Sequence, residues 1–157
     1  KEKGKTAPAI PKAVKSFLSD TSSFSPEWSG SILRMLPESV RGAYPLLREH
    51  LRILSAGICI GEAKGKDFIP AEELALSTAL RPDAFPVADL DWDDAIRYLK
   101  KEALLLPAGT EKGYVLVRHK KFPLGFAKHL GNRANNLYPQ EWRIRTGYIP
   151  EQVKTFE

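Results

Sequence analysis

Residues 112–145 read KGYVLVRHKKFPLGFAKHLGNRANNLYPQEWRIR. Two apolar runs, at 114–117 and 122–127, flank the pair Lys120-Lys121, and an order of run, short polar break and run is that of a β-hairpin. In the second run Phe122, Leu124 and Phe126 alternate with Lys121, Pro123, Gly125 and Ala127. The spacing predicts that Phe122, Leu124 and Phe126 point into a core and the others outward. Residues 132–136 hold three asparagines, a composition that suits a turn because Asn tolerates positive φ, and equally suits amides presented to a ligand. Trp142 to Ile144 offer one more short strand.

Working outward from this stretch, Asp91 reads as the cap of a helix in which Trp92, Ala95, Ile96, Leu99 and Ala103 recur at helical spacing. A Pro-containing break at 81–86 precedes it. Before the break, Pro70 opens a helix with Glu72 and Glu73 in its first turn and an apolar stripe of Leu74, Ala75, Leu76, Ala79 and Leu80. Residues 53–69 read as another hairpin turning at Lys64-Gly65-Lys66. A helical turn from Tyr44 to Leu51 would put Leu46, Leu47 and Leu51 inward. Ser25-Pro26-Glu27 resembles a cap, a first-position proline and an acidic first turn, which predicts a short helix carrying Trp28, Ile32, Met35 and Leu36 as far as Pro37. The resulting order is mixed, an α+β chain of short, mostly antiparallel strands with a few helices. It divides into a linker at 1–23 with one apolar patch at 14–18, a small α+β domain at 24–82 and a second domain at 83–157.

The chain has 157 residues, 43% of them hydrophobic, enough for one core or two small ones. No run approaches the roughly 20 apolar residues that cross a bilayer, so no membrane partner is expected. Cys59 is the sole cysteine and stands in an apolar run without an adjacent base, which reads as a structural thiol and suits a reducing cytoplasm. The net charge of +5 is unevenly spread. Residues 16–110 carry ten basic and fourteen acidic groups, whereas residues 112–145 carry eight basic groups against Glu141 alone. A local field of that sign draws in a polyanion, although a solvated protein surface has the same composition.

Enzymatic constellations do not appear. Residues 57–67, GICIGEAKGKD, miss the spacing of a phosphate loop and put Asp67 where a metal-binding Ser or Thr belongs. No G-x-G-x-x-G follows a strand, no G-x-S-x-G is present, and His119 and His129 lack an H-E-x-x-H context. The carboxylates of Asp89, Asp91, Asp93 and Asp94 read as the start of a helix rather than a metal site.

Aromatic residues Phe122, Phe126, Tyr138 and Trp142 are interleaved with the cations of residues 112–145, which is a nucleic-acid pattern: cations neutralise phosphates, amides reach base edges or sugar hydroxyls, and rings stack on bases. The order 112–117 (KGYVLV), 122–128 (FPLGFAK), 131–139 (GNRANNLYP) and 142–144 (WRI) resembles the C-terminal PUA-like RNA-binding domain of RsmF-type rRNA (cytosine-5) methyltransferases of the Sun family. Residues 52–80 are similar to the smaller domain that precedes it there. The resemblance implies a PUA-like pseudo-barrel, with the G-x-x-K of Gly125 to Lys128 and the N-x-Y-P of Asn136 to Pro139 as its signature. It also implies rRNA as partner, through Arg118, Lys120, Lys121, Lys128, Arg133, Arg143 and Arg145 on phosphates and Asn135, Asn136 and Tyr138 on sugars or an unpaired base.

Family members methylate through two cysteines in an S-adenosylmethionine-dependent domain, and nothing here resembles that domain. The chain is therefore expected to be a non-catalytic, monomeric accessory region that binds no cofactor itself, S-adenosylmethionine belonging to the absent catalytic domain, which is its second expected partner. Packing on that domain with little RNA contact is the alternative reading.

Overall fold

Gly30 produces the first departure from these expectations. It stands at φ +62°, a left-handed conformation that costs glycine little, and with Ser31 it makes a two-residue turn. Residues 24–37 therefore fold as a hairpin of β1 (Phe24–Ser29) and β2 (Ile32–Pro37), not as the expected helix. Pro26 fits either reading because β1 is an edge strand, where a missing N–H need cost no ladder bond. Period 2 wins in β2, where Leu33 and Met35 are fully buried.

The structure, a computed structural model, describes residues 10–148. A single turn, α1 (Lys12–Lys15), comes before β1. After β2 come α2 (Glu38–Arg41) and α3 (Tyr44–His50). Neither helix has a buried residue, and Leu46, Leu47 and Leu51, expected inward, are exposed. The hairpin read at 53–69 is present as β3 (Ile58–Lys64) and β4 (Asp67–Pro70), beginning later than expected. Of the helix expected at 70–80, one turn forms, α4 (Glu72–Ala75). The first sheet is antiparallel in the order β1-β2-β3-β4.

The second sheet follows the Pro-containing break. It comprises β5 (Val87–Asp89), β6 (Gly113–His119), β7 (Phe122–His129) and β8 (Ala134–Asn136), in that order, with β5–β6 parallel and the other pairs antiparallel. Between β5 and β6 lies α5 (Trp92–Leu99), whose Asp91 cap accepts a hydrogen bond from Asp94 N–H at 2.8 Å, as its spacing predicts. The helix stops before Ala103. Trp142 to Ile144 form no strand; Ile144 N–H instead bonds Leu99 O at 3.0 Å, holding this segment against the end of α5.

Two apolar clusters hold the elements. One joins Val14 and Leu18, from the stretch read as a linker, to Leu33, Met35 and Ile60 of the first sheet, Leu74 of α4, Phe85, and Leu116 and Phe126 of the second sheet. Phe85 lies 4.5 Å from Phe17 and 4.8 Å from Phe126 of β7, and Phe17 lies 6.3 Å from Phe68 of β4, ring centroid to centroid, so a chain of aromatic contacts links the sheets. The second cluster packs Ala95 and Tyr98 of α5 against Val117, Ala127 and Ala134. Strand β7 lies between the two clusters, which is why its alternation misled: Phe126 and its neighbour Ala127 are both fully buried, while Phe122 at the strand's start is exposed. The α+β class with short strands holds. Among the described residues no helix is long and apolar enough to cross a membrane. Residues 1–9 of the expected linker and 149–157 of the second domain lie outside the described residues.

Candidate nucleic-acid interface

The cations of residues 112–145 separate into those that hold the fold and those that face solvent uncommitted. Arg118 is on β6 beside a register shift, and its guanidinium donates to both oxygens of Asp89 on β5, at 2.5 and 2.8 Å. That fork lowers the Asp89 carboxyl below the usual range. Lys120 and Lys121 form the β6–β7 turn, exposed and without an ion-pair or hydrogen-bond partner among the described residues.

Lys128, at the opposite end of β7 and about 20 Å from the turn at roughly 3.4 Å per residue, is an inter-sheet clamp. Its ammonium lies 2.5 Å from Asp67 at the start of β4 and 4.8 Å from the centroid of the Tyr114 ring, while the Tyr114 hydroxyl donates to the same Asp67 oxygen at 2.9 Å. Hydrogen bonds from Lys128 and Tyr114 hold the Asp67 carboxyl low. The side chain remains about a third exposed, so the clamp sits at the surface.

Asn136 is committed to the fold as well. Its amide NH2 donates to Tyr98 O at 2.9 Å and Glu102 O at 3.1 Å, and its Oδ1 accepts from Tyr138 N–H at 2.9 Å. Both amide hydrogens and one lone pair of the amide oxygen are thus used internally, so the N-x-Y-P segment is fastened to the end of α5. Lys101, which the residue pattern did not single out, completes this clasp by donating to the carbonyls of Asn136 and Tyr138. The half-buried Tyr138 ring meets Tyr98 edge-on at 5.4 Å and Trp142 at 6.4 Å. Burial pushes the Tyr138 hydroxyl pKa up.

Arg133 and Asn135 are exposed at either side of Ala134 and have no side-chain partner among the described residues. Arg143 and Arg145 line an open groove of about 410 Å³ with Lys100, Glu102, Ile144, Thr146 and Gly147. Lys100 was not among the expected cations; its place at the end of α5, facing a segment that forms no strand, is visible only in three dimensions. The expected strip is therefore three patches: the hairpin turn, the Arg133–Asn135 loop and the Arg143–Arg145 groove.

Beneath these patches lies a buried polar cluster. Gly125, at φ +148°, leaves room for Glu72: a Cβ there would stand 2.1 Å from Glu72 Oε1 and 2.2 Å from the Tyr98 hydroxyl. Tyr98 donates to Phe126 O at 3.0 Å and lies 3.4 Å from Glu72 Oε2, while Oε1 has no hydrogen-bond partner among the described residues. Burial raises the Glu72 carboxyl to about 7, against the smaller opposing influences of Tyr98, the Phe126 backbone and Lys101. The cluster is closed rather than a cleft. Cys59 is half-buried, and its thiol is pushed up by burial, in keeping with a structural role. Among the described residues no group of three or more His, Cys, Asp or Glu could hold a metal ion.

Comparison with known proteins places this geometry. Residues 85–144, from Phe85 through all of β5–β8 to Ile144, match the family described as Methyltransferase RsmF PUA domain. The chain is 32% identical over 110 residues to ribosomal RNA small subunit methyltransferase F of Shewanella baltica (strain OS195), an alignment covering 67% of this chain and 22% of that protein. The enzyme of the same name from Shewanella pealeana is 32% identical over 92 residues, covering 58% and 18%. The chain thus spans about a fifth of the length of these relatives. It is a PUA-containing region of RsmF type, with the match to the PUA domain falling on residues 85–144.

Proposed function

We propose that this region binds ribosomal RNA and thereby docks an S-adenosylmethionine-dependent rRNA (cytosine-5) methyltransferase domain on its substrate. The observation that carries the reading is the set of five cations, Lys120, Lys121, Arg133, Arg143 and Arg145, that have no acidic partner among the described residues. Arg118 and Lys128, by contrast, are paired with carboxylates. Uncompensated cations on three patches of one small domain suit a structured polyanion whose phosphates are spread over a surface. The relatives' name, ribosomal RNA methyltransferase, supplies the class of that polyanion. RNA of this kind is gripped by shape, through phosphates and 2′-hydroxyls, and exposed Asn135 is placed to reach a sugar.

A second reading has its own support. Val40, Leu46, Leu47, Leu51 and Leu54 are all exposed on or just after α2 and α3, an apolar concentration within fifteen residues that suits a protein surface better than RNA. In this reading the segment packs on the catalytic domain. The two roles use different faces of the sequence and are separable. Anisotropy titrations of the 157-residue chain against a fluorescein-labelled rRNA stem-loop, and separately against the methyltransferase domain of a relative, decide between them. RNA binding without the domain supports the first role; binding of the domain with no measurable RNA affinity would leave only the second.

A further inference from the structure

The β6–β7 turn is built from residues that such a turn disfavours. Lys120 and Lys121 stand at φ +47° and +75°, both left-handed, in a two-residue connection where Asn-Gly is the low-strain solution. No hydrogen bond or ion pair of either side chain among the described residues compensates for that strain. Immediately after them, Phe122 leaves 72% of its surface in water, in a strand whose Phe126 and Ala127 are fully buried. It makes no ring contact among the described residues, although its cross-strand neighbour His119 is packed on Trp92 at 6.0 Å and bonded to Leu90 O at 2.8 Å. A strained turn, two uncompensated cations and an exposed ring thus occupy three successive positions.

The support under this tip is rigid. Leu90 N–H bonds Arg118 O at 2.8 Å, the Arg118–Asp89 fork ties β6 to β5, and β6 and β7 stay paired through His119 and Phe122. Nearby carboxylates are largely engaged: Asp89 by Arg118, Asp91 as the helix cap, Asp94 by Arg97 at 3.5 Å, leaving Asp93 exposed. The tip is therefore a positively charged, preorganised arm ending in an aromatic face.

We propose that the Lys120-Lys121-Phe122 tip is an RNA-contact element in which Phe122 stacks on an unpaired base while the two lysines hold the flanking phosphates. The inference rests on the RNA-binding reading above and adds to it a base-contacting residue and a preference for unpaired nucleotides. Stacking suits this position because every base offers a π-face and the ring is exposed on a backbone held by its pairing with His119, while the preceding cations neutralise the nucleic-acid backbone beside it. Residue alternation alone had assigned Phe122 to the core, so the exposed ring is a feature that only the fold discloses.

The test uses a fluorescein-labelled RNA stem-loop with an unpaired loop and, as control, the same stem closed as a full duplex. Phe122→Ala is expected to weaken stem-loop binding roughly 5- to 100-fold and duplex binding by no more than about twofold. Phe122→Trp retains stem-loop affinity. The double variant K120N/K121G relieves the turn, so its Tm rises while its stem-loop affinity falls, which separates loss of contact from loss of fold. Wild-type binding with unchanged affinity in Phe122→Ala overturns the inference and leaves the RNA-binding reading intact. Failure of the wild-type chain to bind either RNA overturns that reading and the inference with it.

Discussion

At the scale of single residues, Lys128 and Arg133 look alike in sequence and differ in structure. Lys128 bridges to Asp67 across the two sheets beside its strand neighbour Tyr114, whereas Arg133 has no acidic partner among the described residues. Arg133→Ala is therefore expected to weaken RNA binding several-fold at unchanged Tm, while Lys128→Ala, which breaks the pair with Asp67, is expected to lower the Tm by about 2 °C with little change in RNA affinity, both read by anisotropy and calorimetry. Glu72 carries a different consequence. Its carboxyl, buried beside Tyr98, Lys101 and Tyr138, is raised from 4.5 to about 7, so the folded state binds its proton more tightly than the unfolded chain does. Such a group stabilises the fold below about pH 4.5, and that contribution is lost as pH rises to 7, to a limit of about 3 kcal/mol. Glu72→Gln removes the proton dependence: its Tm should exceed that of wild type by a margin that grows from pH 5 to pH 8 and vanishes near pH 4. A margin that shrank over that range would contradict the assignment.

At the scale of elements, what the sequence discloses depends on how many faces an element buries. The α5 helix was legible because its cap and first turn are local features, with Asp91 bonding Asp94 N–H as its spacing indicates. The hairpins at β3–β4 and β6–β7 were legible from their polar breaks. The β1–β2 hairpin was not, because Trp28, Ile32, Met35 and Leu36 satisfy a helical period about as well as a strand period, and only the left-handed Gly30 separates the two. Strand β7 was half legible: sandwiched between two clusters, it buries Phe126 and Ala127 together, which no alternation rule describes. Of the expected site residues, the exposed turn lysines and arginines could be read from charge. The inward commitment of Asn136 could not, since it depends on the carbonyls of Tyr98 and Glu102, over 30 residues away. Helices α2 and α3 make the clearest element-level prediction. Leu46 and Leu54 are 61% and 86% exposed, so L46S/L54S should leave the Tm of the isolated chain within about 2 °C of wild type, while weakening its binding to a methyltransferase domain if that face is the docking surface. A large fall in Tm would show instead that these leucines support the fold.

At the scale of the whole molecule, the two sheets are distinct in hydrogen bonding and joined in packing. Val14, Leu18 and Phe85 lie with Leu33, Met35, Leu116 and Phe126 in one cluster, and the Asp67–Tyr114–Lys128 group ties the sheets again at the surface. A division near residues 82 and 83 therefore separates sheets and not cores, and the chain is expected to unfold in one cooperative transition. Joined packing also has a functional meaning in the proposed role, since a rigid body transmits a fixed orientation from an RNA-gripping sheet to whatever α2 and α3 contact. The uneven charge belongs to this scale as well. Eight basic groups against one acidic group in residues 112–145 became, once folded, two structural pairs and six cations without an acidic partner among the described residues, Lys112 and the five on the three patches.

The central claim is that those uncompensated cations meet RNA phosphates. Its most direct test is the dissociation constant of the 157-residue chain for a fluorescein-labelled rRNA stem-loop, measured by anisotropy from about 50 to 400 mM KCl. Contact with about four phosphates predicts that the logarithm of the association constant, the reciprocal of that Kd, falls linearly against log salt with a slope of about −3. Affinity that stays flat across that range would contradict the claim.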